Sequence, residues 1–132
     1  MKDPRVRKLA ELLVNYSTKV KENDKVMVAA VDPAAYPLVE EIIELVGRKG
    51  AHPFVTLNAQ AVQRKLYMHA TDTMLDIMRE SELAFAQKMD AYIGIRALEN
   101  KFETNDVPQK QMMKIMQNYR MKVSNEIMSK KW

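Results

Sequence analysis

His52 and His69 are the only imidazoles in the chain. A histidine that binds metal needs partner ligands at close spacing, such as a second histidine four residues along a helix. These two stand 17 residues apart with no ligand motif beside them, so both read as histidines near helix ends, where terminal carbonyls want donors. No cysteine is present, which removes thiolate nucleophiles, thiolate zinc sites and disulfides. Neither a G-x-S-x-G elbow nor an H-E-x-x-H pair occurs. A nucleotide phosphate wants glycines after a strand, so that backbone N–H groups can approach it. The relevant loop, VDPAAYP (31–37), has none, and the chain holds only Gly47, Gly50 and Gly94. Dinucleotide and P-loop chemistry are therefore disfavoured.

Four polar residues remain where an α/β fold collects function, beyond the C-terminal ends of strands. Asp32 ends the first strand, where a carboxylate could bind a hydroxyl, a metal or a phosphoryl group. As Asp-Pro it is equally ordinary turn chemistry, an N-cap or Asx-turn. Arg96, Glu99 and Asn100 lie in RALENKFE (96–103), after the third strand, where polar groups could face a ligand or simply form a surface loop. Glu40 and Glu41 read as solvated positions on the polar face of a helix.

The elements that must position these residues are marked by periodicity. Asp3 and Pro4 start a helix whose apolar residues Val6, Leu9, Ala10 and Leu13 recur at helical spacing, ending near residues 16–19. Residues 25–31 form a valine-rich run that suits a central parallel strand buried on both faces. Pro37 opens a second helix with Leu38, Ile42, Leu45 and Val46 on one stripe, and Gly50 falls where a left-handed C-cap belongs. Residues 53–57 form the next strand, 59–68 a helix, and 73–79 and 81–89 two more helical stretches. Residues 91–96 are the third strand. A last helix over about 108–129 places Met112, Ile115, Met116, Tyr119, Val123 and Ile127 on its apolar face, and the spacing of its methionines fits core. This alternation predicts an α/β fold: a three-layer parallel sheet with right-handed crossovers and flavodoxin-like or Rossmann-like strand order 2-1-3, cut off after the last helix.

The chain has 132 residues, the size of one domain, with 47% apolar and 29% charged residues. No apolar run exceeds the six residues 26–31, far short of a membrane span, and the charged N-terminus lacks a signal-peptide layout. The net charge of +4 is concentrated in the last helix. No aromatic interleaving or nucleic-acid motif accompanies that charge, so it reads as a solvated face or a surface that meets another domain.

Taken in order, DPRVRKLAELLVNYS (3–17), YPLVEEIIELVGRKGAHPFV (36–55) and HATDTML (69–75) resemble the opening of M29 metallo-aminopeptidases, the aminopeptidase T group. The resemblance runs over residues 3 to about 100. It implies a parent that is a cytoplasmic, dimeric exopeptidase removing N-terminal residues from peptides. It also implies two divalent ions, cobalt, zinc or magnesium, held by glutamate, histidine and aspartate in a later catalytic domain. None of those ligand motifs has a matching position here, so no catalytic or metal role passes to His69 or any other residue.

Residues 1–132 are thus expected to form a single α/β N-terminal scaffold domain of a larger peptidase. It would hold no cofactor itself, be inactive alone, and have its own C-terminal catalytic domain and a homodimer mate as partners. Peptide substrate would be met in the parent only, with no membrane involved and nucleic acid disfavoured, a basic-helix nucleic-acid binder standing as a third reading. The alternative is a freestanding α/β module that binds a small ligand at its strand-end loops. If the sheet is cut off, the edge of the third strand or the apolar surface of the last helix should mediate self-association.

Overall fold

The computed structural model describes residues 3–31, 33–96 and 107–130. Asp3 caps α1 (Pro4–Leu12), its carboxylate accepting the Arg5 backbone N–H at 2.9 Å, with Pro4 at the first helical position. The helix runs on through a single π turn, Leu13–Ser17, which keeps Val14 in the core. β1 (Lys25–Val31) follows. A 3-10 turn, Pro33–Ala35, feeds α2 (Tyr36–Arg48). That helix closes at Gly50, whose φ of +76° lets its N–H reach Gly47 O at 3.0 Å while Ala51 N–H reaches Val46 O at 3.2 Å. β2 (His52–Asn58) and β3 (Ala91–Arg96) flank β1. All pairings are parallel and the order is β2-β1-β3, so the α/β fold and the 2-1-3 order read from the sequence both hold.

The described residues fall into two compact units. The first contains the sheet with α1 and α2. Val26, Val28 and Ala30 of β1, with Ala91 and Ile93 of β3, pack against Ala10 and Val14 on one side chain layer and Val39, Ile42 and Val46 of α2. β1 does not, however, bury both faces as its unbroken apolar run suggested. Burial alternates along it, because α1 and α2 pack onto the same face, and Met27, Ala29 and Val31 stay half-exposed. Residues opposite them in register, Phe54 and Thr56 of β2, are exposed.

The second unit is helical: α3 (Gln60–Met68), α4 (Asp72–Gln87), α5 (Gln109–Ile115) and α6 (Met121–Met128). α4 is one helix where two were expected. Thr71 caps it, its hydroxyl accepting Met74 N–H at 3.2 Å, and Ser81 sits in mid-helix instead of starting a new one. The last helix is interrupted by a π turn, Met116–Arg120. Leu75, Ile115, Tyr119 and Val123 form the core of this unit.

The methionines of the last helix are not core. Met113, Met116, Met121 and Met128 are 39% to 64% exposed, and only Met112 packs against the buried cluster. Ile115, Tyr119 and Val123 take the inward face, and the thioethers are left beside them on the outer one. Among the described residues no helix is long and apolar enough to cross a membrane.

Candidate functional site

The C-terminal edge of the sheet is where a parallel α/β fold opens a crevice, at the point where successive connections leave in opposite directions. Here that point lies between β1 and β3. The register aligns Asn58, Val31 and Arg96 across the end of the three strands. Beside it is a groove of about 320 Å³, formed by Val6 and Leu9 of α1, Ala34 and Ala35 of the 3-10 turn, Pro37 and Leu38 of α2, and Ile95 of β3. Every lining residue is apolar. Such a surface can hold a side chain or a hydrocarbon, but it offers no acid, base or phosphate donor.

Of the candidates named from the sequence, Arg96 closes β3 opposite Val31, its side chain lying outside the described part of the structure, as do Asp32, Glu99 and Asn100. The two histidines lie at element ends, and the bonds seen there are those of their backbone amides. His52 opens β2 with its N–H on Asp24 O at 2.8 Å, and His69 ends α3 with its N–H on Leu66 O at 3.2 Å. Both side chains are exposed. Among the described residues no three His, Cys, Asp or Glu side chains are grouped to hold a metal ion. Several carboxylates are instead paired: Glu41 with Arg7, Asp72 with Lys114, and Glu82 with the Tyr119 hydroxyl. The donor set described here does not fit a pair of divalent ions.

One such pairing corrects the sequence reading. Glu41, expected to be solvated, is buried: its carboxylate accepts Arg7 Nη1 at 2.7 Å, and the same guanidinium reaches Glu44 at 3.3 Å and Glu11 at 3.3 Å. Glu44 in turn binds Arg48 at 2.5 Å. The Glu41 bond, first among these causes, raises the Arg7 pKa and keeps the guanidinium charged. The network ties α1 to α2 across 34 residues of sequence, which no local pattern could reveal. The i, i+3 pairing of Glu41 and Glu44 on α2 was the only signal, and it is weak.

A second polar set organises the helical unit. The Tyr119 hydroxyl, in the π turn, donates to Glu82 Oε2 on α4. Burial first, and then the Glu82 bond, push the Tyr119 phenol well above its ordinary range. Burial also raises Glu82, against the opposing effect of the Tyr119 bond. Arg79 donates to Asn118 O at 3.0 Å and to Asp76 at 3.1 Å. Gln111 caps the end of α3, donating to Tyr67 O at 3.1 Å and Ala70 O at 2.7 Å. The Arg120 guanidinium lies 5.9 Å from the centre of the Tyr67 ring. A π turn carrying a hydrogen-bonded tyrosine is a frequent mark of function, but each group here is engaged in joining helices. Sequence reasoning missed the set, although a tyrosine on an apolar stripe signals that an acceptor must be near.

Comparison with known proteins agrees with the fold. The chain matches the model of the thermophilic metalloprotease (M29) family over residues 2–132. Among solved structures, wild-type AmpT from Thermus thermophilus superposes with a TM-score of 0.70 at 18% sequence identity, covering 96% of this chain and 32% of that one. The chain thus spans about a third of the length of that structure. No curated protein matches it. The likeness to AmpT establishes the shared fold, and the match along nearly all of the sequence establishes more: this chain belongs to the thermophilic metalloprotease (M29) family.

Proposed function

We propose that these residues form the N-terminal scaffold of a metal-dependent aminopeptidase that removes N-terminal residues from peptides, and that they perform no hydrolysis by themselves. The observation that carries this reading is the unequal coverage, 96% of this chain against 32% of AmpT. Two thirds of a protein of that length would remain to supply metal ligands, a water-activating pair of ions and a peptide cleft. The polar groups described above are consistent with a scaffold, since Arg7, Glu41, Glu82 and Tyr119 are engaged in holding helices together. In the whole protein the partners would be the catalytic domain and a second subunit, in the cytoplasm.

The expected metals of the parent are cobalt, zinc or magnesium, and their ligands would come from outside the described residues. Equilibrium dialysis tests this: the chain should retain well under one zinc or cobalt ion at micromolar concentrations. Stoichiometric tight binding abolished by His69→Ala or His52→Ala would contradict it.

A further inference from the structure

Among the described residues, every exposed methionine lies on the last helix. Met113, Met116, Met121 and Met128 are 54%, 39%, 51% and 64% exposed. Met27, Met68, Met74, Met78 and Met112 are half-buried, and Met89 is buried at 5%. Single apolar side chains scattered over a surface are ordinary. Four exposed thioethers confined to one helix are not scattered.

The π turn gathers them onto one strip. In an unbroken α-helix, at about 100° per residue, Met121 would stand about 140° around the axis from Met116. The turn Met116–Arg120 closes instead with Met121 N–H on Met116 O, an i→i+5 bond that takes up one residue more than an α turn. With that residue discounted, Met113, Met116, Met121 and Met128 fall within about 60° of arc. The strip lies beside the face on which Ile115, Tyr119 and Val123 pack. It borders the core of the helical unit without belonging to it.

We infer that this strip is a modification site for peroxide, at which the four thioethers become sulfoxides while the helical unit stays folded. The chain has no cysteine, so methionine is the only sulfur that an oxidant meets. The sulfur attacks one peroxide oxygen, and the S–O bond forms as the O–O bond breaks. The proton on the transferred oxygen leaves with the departing hydroxide as water, so the sulfur is oxidised and the peroxide reduced by two electrons. The product is polar where the thioether was apolar. On the inner face that change would break packing. On this strip it alters what solvent meets, because Leu75, Ile115, Tyr119 and Val123 carry the core. The site stands independently of the peptidase reading.

Treatment of the chain with millimolar hydrogen peroxide, followed by peptide mapping with tandem mass spectrometry, reads each sulfur separately. Since oxidation follows exposure, Met113, Met116, Met121 and Met128 should take up oxygen about ten-fold faster or more than Met89. They should also outpace Met112, the half-buried methionine of the same helix. In guanidinium all these rates should converge, because the difference belongs to the fold. Circular dichroism supplies a second readout: the chain carrying the four sulfoxides should keep its helical spectrum and a cooperative melt. Met89 or Met112 reacting as fast as the four, rates that stay apart in guanidinium, or loss of the melting transition once the four are oxidised would each overturn the inference.

Discussion

Replacing Tyr119 by phenylalanine isolates one hydrogen bond in the helical unit. The ring can stay in the cluster with Tyr67, Leu75 and Ile115, and only the donor to Glu82 Oε2 is lost. A hydrogen bond to a charged group contributes about 1.5–3 kcal/mol. Glu82 is only partly buried, and solvent screening moves the expected loss to about 1–2 kcal/mol. For a chain of this size that corresponds to a melting temperature lower by about 4–8 °C. The pH dependence adds a sign. The phenol titrates above its ordinary 10.0 in the folded chain. Its contribution is therefore fully present below pH 10 and is lost as pH rises beyond it, when the unfolded tyrosine ionises first. Thermal melts of both proteins between pH 7 and 11 should show a gap that is constant up to about pH 9.5 and then narrows. A Tyr119→Phe variant melting within 1 °C of the parent at pH 7, or a gap that widens above pH 10, would refute the reasoning.

Glu82→Gln keeps an acceptor for Tyr119 but removes a carboxylate that burial disfavours. A raised carboxylate stabilises below its unfolded value of 4.5 and loses that contribution as pH rises through its folded value, so the variant should gain on the parent between pH 4.5 and 7 in urea midpoints. Gly50→Ala should destabilise by about 1 kcal/mol or more, since φ is +76° and the new Cβ would lie 3.1 Å from Glu22 Cγ; chemical denaturation that finds it neutral would contradict the left-handed turn. Arg7→Met should lower the urea midpoint more than Glu11→Gln, because Arg7 serves the buried Glu41 whereas Glu11 is nearly half exposed.

Much of the sheet was legible because its signals are local. The valine-rich run, Pro37 at a helix start and Gly50 at a helix end each act within a few residues, and alternation of helix and strand leaves few topologies. The continuity of α4 was hidden because Ser81 carries the chemistry of a helix start and nothing nearby says it is unused. π turns leave no recognisable spacing. Glu41 looked solvated because its partner, Arg7, is 34 positions away. The methionines counted as apolar at helical spacing, yet hydrophobicity alone does not tell a core face from a contact face. The candidate site is the least legible part. Asp32, Glu99 and Asn100 lie outside the described residues, and the neighbouring groove is built from ordinary apolar side chains that no motif marks.

The central claim is that this family member is a scaffold without chemistry of its own. It is tested most directly by incubating the purified chain with leucyl p-nitroanilide and short peptides in the presence of cobalt, zinc or magnesium. The account predicts no turnover above the metal blank at any concentration of chain. Metal-dependent release of the N-terminal residue, proportional to chain concentration and abolished by His69→Ala, would contradict it.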